Sequence, residues 1–365
     1  MWYERRIGLA SCLVVASAAL ATPAYCQGNE PAAESQPTPG IYLPPNEQHP
    51  AVGLPIYRRS NHGVYVSVGT ERSFIGAALS TADALFVIDY DPLAVRFANI
   101  NRALLAASTD RADYLNLRLS APPELWLQRS RRLSAADKET LSNPDSWTFW
   151  DKKVRKNEAA WDSAFGHFHT QPNGPGDPFF AANYLFDDRL YRHLSRLAKG
   201  SRIWAQQLDL RHENEVRSFC EKLKSRGLTL GVIDTSDVPN GSPAGTRLAA
   251  QYVKWMSRFA PDSAIFLNTA PTGGHGVHWS YFAFSNRNIR GRDLATIQRW
   301  YEIEMKKISS SDHAQPLLDD PDAIGTGAPG ALLQHLDDQR SGECDRDSSP
   351  WRYAGFLEEW DLCHS

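Results

Sequence analysis

The chain has 365 residues, with 39 Lys and Arg against 42 Asp and Glu, a formal charge of −3, and 11% aromatic residues. Charge so near balance signals no nucleic acid or other polyanion as partner, and the aromatic content sets the bulk of the chain apart from disordered sequence. The length exceeds the roughly 250–300 residues at which a single core stops growing, so the expectation is one main domain with a large insertion and a tail, or two domains.

Residues 1–24 have the order of a secretory signal. Arg5 and Arg6 precede an uncharged apolar stretch from Ile7 to Leu20, and small-residue cleavage patterns follow at Ala19-Leu20-Ala21 and Thr22-Pro23-Ala24. The stretch is shorter than the roughly 20 apolar residues of a membrane span. The expectation is an exported protein (periplasmic, secreted or envelope-associated) with no span in the mature chain. A single anchoring helix and a lipid anchor at Cys12 are the lesser readings. Residues 25–55 are rich in Pro, Glu, Gln and Ser and read as a linker.

The main domain is expected over 56–310. Gly63 to Gly69 is a short apolar run that reads as a buried strand, and Thr70 is placed to cap the helix after it. Ala84 to Asp89 reads as a second buried strand. Pro92 suits the first turn of a helix running to about Ala107. From about 110 to 178 the alternation breaks. This stretch has a charged helical piece at Ser134 to Leu141, the tryptophans Trp147, Trp150 and Trp161, and a Gly/Pro-rich loop, and it reads as an insertion.

Alternation then resumes. Helices are expected at Leu185 to Lys199, Glu213 to Arg226, Ala244 to Phe259 and Asp293 to Ile308. Strands are expected at Ile203 to Leu210, Leu228 to Ile233, Ser263 to Asn268 and Val277 to Phe284. Residues 311–365 read as an irregular tail in which Cys344 and Cys363 are the best pair for a bridge; Cys220 falls on an apolar helix face and reads as a buried thiol. Strands alternating with helices predict an α/β, Rossmann-like, doubly wound and mostly parallel sheet in three layers, whose ligands sit outside the carboxyl ends of the strands.

Four residues stand at those ends. Gly69 follows the first strand and Asp89 closes the second 20 residues on; Asp209 and Asp234 close the next two. A glycine there lets a ligand approach the backbone, and an acid there accepts hydrogen bonds from ribose hydroxyls. Asp89 and Asp209 have a plainer reading as helix caps, Asp91 reads as a cap or turn residue, and Asp234 falls in a polar cluster with Thr235, Ser236 and Asp237 at a strand end.

With these residues the chain resembles the class I S-adenosylmethionine-dependent methyltransferases, over about 60–108 and 180–270, and a group of exported bacterial proteins of similar fold. The resemblance implies S-adenosylmethionine as cofactor. It places Gly69, Thr70, Glu71 and Ser73 at the cofactor turn, Asp89 at the ribose, Asp209 near the adenine amine, and Asp234 on the catalytic, acceptor-orienting side. The family's turn reads acid-x-Gly-x-Gly-x-Gly; here Ser67 stands for the acid and Glu71 and Ser73 for the second and third glycines. Glu71 would set a carboxylate near the cofactor's own, an unfavourable like-charge approach, although a helix N-terminus favours an acid on its own account.

Three functional readings follow. One is a methyltransferase-like protein that binds S-adenosylmethionine or another nucleoside-containing small molecule. The second is a non-catalytic binding protein on the same scaffold, with a partner in the cell envelope. The third is a secreted metal-dependent hydrolase built on His167, His169, His275 and His278, although neither pair comes with an acid in a recognised metal motif.

Overall fold

The computed structural model describes residues 53–57, 59–60, 62–69, 71–156, 182–239, 242–272, 278–309 and 316–318, all within the compact unit Thr38–Ser365. The expected leader, most of the expected linker, Thr70, Trp161, Cys344, Cys363, His167, His169, His275 and the side chain of His278 lie outside the described residues.

A short helix α1 (Leu54–Tyr57) precedes β1 (Val64–Val68), α2 (Glu71–Leu79), β2 (Ala84–Asp89) and α3 (Pro92–Ala107). Asp91 caps α3 by accepting from the Leu93 N–H at 2.8 Å, and Pro92 supplies the first-turn φ. After the insertion come α8 (Asp188–Lys199), β3 (Ile203–Gln207), α9 (Glu213–Ser225), β4 (Leu230–Asp234), α10 (Pro243–Met256), β5 (Ile265–Thr272) and β6 (His278–Ser285). The short helix α11 (Asn286–Ile289), α12 (Leu294–Ser309) and β7 (Pro316–Leu318) complete the order.

The sheet order is β3-β2-β1-β4-β5-β6-β7. Strands β1 to β5 are parallel, β6 runs antiparallel to β5, and β7 is parallel to β6. The chain winds outward from β1 to β3 and then returns to the other side of β1, so the strand order reverses between β1 and β4, where doubly wound sheets form their crevice. This is the expected Rossmann-like, three-layer α/β fold.

Side chains alternate between the two faces with the strand period of two. Tyr65, Leu85, Val87 and Val232 join α2, α3, α8 and the insertion in one core. Val64, Val66, Phe86 and Ile233 join α9, α10 and α12 in the other, with Cys220 buried there as a free thiol. Helix α2 lies so close on β1 that a Cβ at Gly76 would stand 2.1 Å from the Tyr65 hydroxyl. No helix among the described residues is long and apolar enough to cross a membrane.

The insertion is more regular than its sequence pattern implies. It forms α4 (Arg111–Leu119), α5 (Pro123–Ser130), α6 (Ala135–Ser142), α7 (Pro144–Trp150) and a π turn at Asp151–Arg155. Trp150 stacks on Phe97 of α3 at 5.1 Å and donates to the Arg118 carbonyl at 2.8 Å. Trp126 meets Trp147 edge-on at 5.2 Å. Trp150 therefore knits the insertion to the core, while Trp147 packs within the insertion.

Three expected boundaries are corrected. β3 stops at Gln207, short of Asp209, because the chain turns at Leu208, whose N–H still reaches the Asp89 carbonyl at 2.9 Å. β5 runs past Asn268 to Thr272 because it pairs with β6 along its whole length. Pro316–Leu318, within the stretch read as an irregular tail, adds the edge strand beside β6.

Candidate functional site

The carboxyl ends of β1, β2 and β4 converge on the first turn of α2. Gly69 leaves β1 with φ +93, and no heavy atom of a non-neighbouring described residue lies within 4 Å of where its Cβ would stand. A backbone this open is what a close-approaching ligand requires.

Asp89 lies beside it, half-buried at the end of β2, with Oδ1 accepting from the Asp91 N–H at 2.9 Å. Burial lifts its pKa from an ordinary 3.8 to about 6; the backbone N–H groups of Asp91, Gly69 and Tyr90 pull it down, and the Asp91 charge adds to the lift. Tyr90, the next residue, is one of the few large hydrophobic side chains exposed among the described residues, and the Gln207 side chain fixes its carbonyl at 2.9 Å.

The other strand-end acids are engaged by the chain itself. Asp234 is fully buried. Its Oδ2 accepts from the Tyr65 hydroxyl at 2.5 Å and from Arg72 Nε at 2.9 Å, and its Oδ1 accepts from Arg72 Nη2 at 2.9 Å and the Ser236 N–H at 2.8 Å. Arg72 also donates to Thr269 Oγ1 at 3.1 Å and lies over the Tyr281 ring. Burial alone would lower the arginine's pKa, but Asp234, Tyr281 and Asp237 together outweigh it and raise it. This bidentate pair lies at the β1/β4 reversal, where the open crevice of the fold would be.

Glu71 is equally buried. Its Oε2 takes Arg118 Nη2 of α4 at 3.1 Å, and its Oε1 takes the Tyr184 hydroxyl. Arg118 donates onward to the Tyr114 hydroxyl at 2.8 Å, which donates to Asn101 at 2.5 Å. Burial opposes the Arg118 charge, and Glu71 together with Tyr114 and Tyr184 more than restores it, raising its pKa. Glu71 is thus turned toward the insertion and tied to it.

Ser73 is buried and donates back to the Gly69 carbonyl at 3.1 Å. Asp209 lies beyond β3 in a local turn. Its carboxylate takes the Arg211 N–H at 2.9 Å and two guanidinium nitrogens at 2.6–3.1 Å, and those Arg211 bonds lower its pKa. The geometry brings together Gly69 and Asp89 as an accessible pair, and it directs Glu71, Ser73, Asp209 and Asp234 into the protein's own contacts. Thr70, the remaining residue assigned to the turn, lies outside the described residues.

Arg72, Arg118, Tyr65 and Tyr184 belong to this region without any sequence signal that singles them out. The one available clue was the pair Glu71-Arg72 at the start of an apolar helix, two charges that a buried first turn holds only with partners. No group of His, Cys, Asp or Glu that could hold a metal ion occurs among the described residues.

A family model described as a domain of unknown function, DUF7790, matches residues 42–240. A search of curated proteins finds no match. Among solved structures, two determinations of the rRNA methyltransferase aviRa from Streptomyces viridochromogenes are similar. One is 14% identical, covers 60% of this chain and 70% of that chain, and has a TM-score of 0.27; the other is 13% identical, covers 60% and 71%, and has the same score.

Proposed function

Because the chain belongs to the DUF7790 family, a domain of unknown function, we propose from its own geometry that it is a methyltransferase-like protein that binds a nucleoside-containing small molecule at Gly69 and Asp89. The supporting observation is the open left-handed glycine set against a half-buried carboxylate at the end of the neighbouring parallel strand. Gly69 admits the ligand to the backbone. Asp89, once ionised, accepts from two vicinal hydroxyls, the hydrogen-bonding demand of a ribose. The leader-like order of residues 1–24 supports export, and binding is proposed to take place outside the cytoplasm.

A residue that orients or deprotonates an acceptor needs an oxygen within reach of it. Both Asp234 oxygens are taken by Arg72, Tyr65 and the Ser236 N–H, so we assign Asp234 to holding β1, α2, β4 and β5 together. S-adenosylmethionine fits in part: its nucleoside meets the donor and acceptor needs of Gly69 and Asp89, whereas the charged side chains in the first turn of α2, Glu71 and Arg72, are already paired with Arg118 and Asp234.

Calorimetric titration of the folded mature protein with adenosine, guanosine, cytidine and uridine tests the reading. Micromolar binding of at least one is expected, weakened tenfold or more by Asp89→Ala and by Gly69→Val. The absence of binding by all four would overturn it.

A further inference from the structure

We propose that Arg118 is a positioning residue for the Gly69–Asp89 site: through its buried pair with Glu71, the insertion sets the shape of the turn that receives the ligand. The proposal rests on the binding reading above for what the turn serves. It adds the insertion to the site without placing any residue of the insertion against the ligand.

Glu71 opens α2, two residues after Gly69, and both oxygens of its buried carboxylate are held from the two ends of the insertion. Arg118 of α4, near the start of the insertion, donates to Oε2 at 3.1 Å; the Tyr184 hydroxyl, just beyond its end, donates to Oε1. Each donor is fixed in turn. Arg118 also donates to the Tyr114 hydroxyl at 2.8 Å, and its guanidinium lies 5.9 Å from the centre of the Phe97 ring and 5.6 Å from that of Trp150. The Tyr184 hydroxyl accepts from Asn101 Nδ2 of α3 at 3.0 Å. Two short links lead from this turn back to the site. Ser73 donates to the Gly69 carbonyl at 3.1 Å, and the Gly69 N–H bonds to the Asp89 carboxylate and draws its pKa down.

A plainer role for the pair would be to hold the insertion on the domain, and a buried ion pair is poorly suited to that. Desolvation offsets much of its attraction, and apolar side chains of like volume often hold two elements as well or better. The insertion has other ties to α3: Trp150 stacks on Phe97, and Asp137 of α6 takes Arg102 Nη2 at 2.8 Å. What a charge pair with fixed donors adds is direction. It leaves one place for the Glu71 carboxylate and for the first turn of α2 behind it. Gly69, at φ +93, is the residue type least able to hold a conformation by itself, so the constraint on its turn comes from its neighbours.

Carbon-13 NMR titration of the Asp89 carboxyl reads the turn without a ligand, and titration with the four nucleosides reads it with one. Glu71→Gln/Arg118→Met removes both charges together, so its direct charge effect on Asp89 is small, and Asp91, whose charge acts on Asp89, is unchanged in every variant. In the double variant the Asp89 midpoint is expected to rise by about half a pH unit or more as the Gly69 N–H is lost, and nucleoside affinity to fall about tenfold. Tyr184→Phe, which removes one hydroxyl, is expected to move both in the same direction by less, and it decides the question if the double variant does not fold. Asp137→Asn loosens the insertion from α3 away from Glu71 and is expected to leave both unchanged. If Asp137→Asn moves them as far as the double variant does, the insertion acts only through general stability and the positioning proposal falls. If neither the double variant nor Tyr184→Phe moves the Asp89 midpoint or the affinity, the positioning proposal falls and the binding reading stands. If the Asp89 midpoint moves as expected but no nucleoside binds the wild type, the binding reading falls and the tie between insertion and turn stands.

Discussion

Asp234 and Asp89 end strands on either side of β1, and both follow a run of buried apolar residues. Their surroundings differ. Asp234 receives four hydrogen bonds from the chain, two of them from a guanidinium, and is shut off from water. Asp89 lies at the edge of solvent, with backbone N–H groups as its partners and a pKa lifted to about 6. The contrast teaches that an acid at a strand end marks a site only where the fold withholds a cation. Where Arg72 is supplied, the acid binds the layers to each other; where no arginine is supplied, it keeps capacity for a ligand at the expense of stability.

The largest effect that could break this contrast is expected at Asp234. Asp234→Ala would leave Arg72 buried without its countercharge and remove the acceptor of the Tyr65 hydroxyl. Breaking a buried pair from one side destabilises by about 3–5 kcal/mol, which urea denaturation would show as a large drop in midpoint. A loss below about 1 kcal/mol would mean that the pair does not hold β1 to β4, and Asp234 would return as a candidate for acceptor chemistry.

Asp89 is expected to show a smaller effect of opposite sign. Its folded pKa of about 6 lies above an ordinary 3.8, so between those values the folded state holds more protons than the unfolded one. Stability therefore falls as pH rises from about 4 to 6 and levels off above that. Asp89→Asn removes the slope and gains about 2 kcal/mol at pH 7, allowing for the solvent the carboxylate still reaches. Denaturation midpoints at pH 4.5 and pH 7 for both proteins check this. Nucleoside affinity, which needs the ionised carboxylate, is expected to rise over the same interval, so stability and binding respond to pH in opposite directions. An equal pH slope in wild type and variant would place the proton elsewhere.

The architecture was legible because parallel strands buried on both faces leave an unmistakable pattern. Ala84–Asp89 and Pro92–Ala107 follow directly from an apolar run, an acid and a proline. The insertion was less legible: its helices have seven to nine residues, too few for a helical period to stand out, and only the caps Asp110, Ser134 and Asn143 mark their starts. The site divided along the same line. Gly69 and Asp89 are local features of a strand end. The side-chain partners of Glu71 and Asp234 come from α4, from the Tyr184 segment, from α2 and from β1, at sequence separations of 47 to 169 residues, and no local pattern encodes such pairings.

Asp209 supplies the smallest effect and the finest test of the contrast. It has an arginine, as Asp234 does, yet it lies at the surface, as Asp89 does, and its partner comes from two residues away. Exposed pairs contribute little because water and salt compete for both charges. Asp209→Ala should therefore cost no more than about 1 kcal/mol, and the difference should fade further in high salt. If nucleoside affinity nevertheless falls tenfold or more, Arg211 must leave Asp209 when ligand arrives, freeing the carboxylate for the base. A cation supplied at the surface would then regulate access to an acid, and only a buried pair such as that at Asp234 would close one off outright.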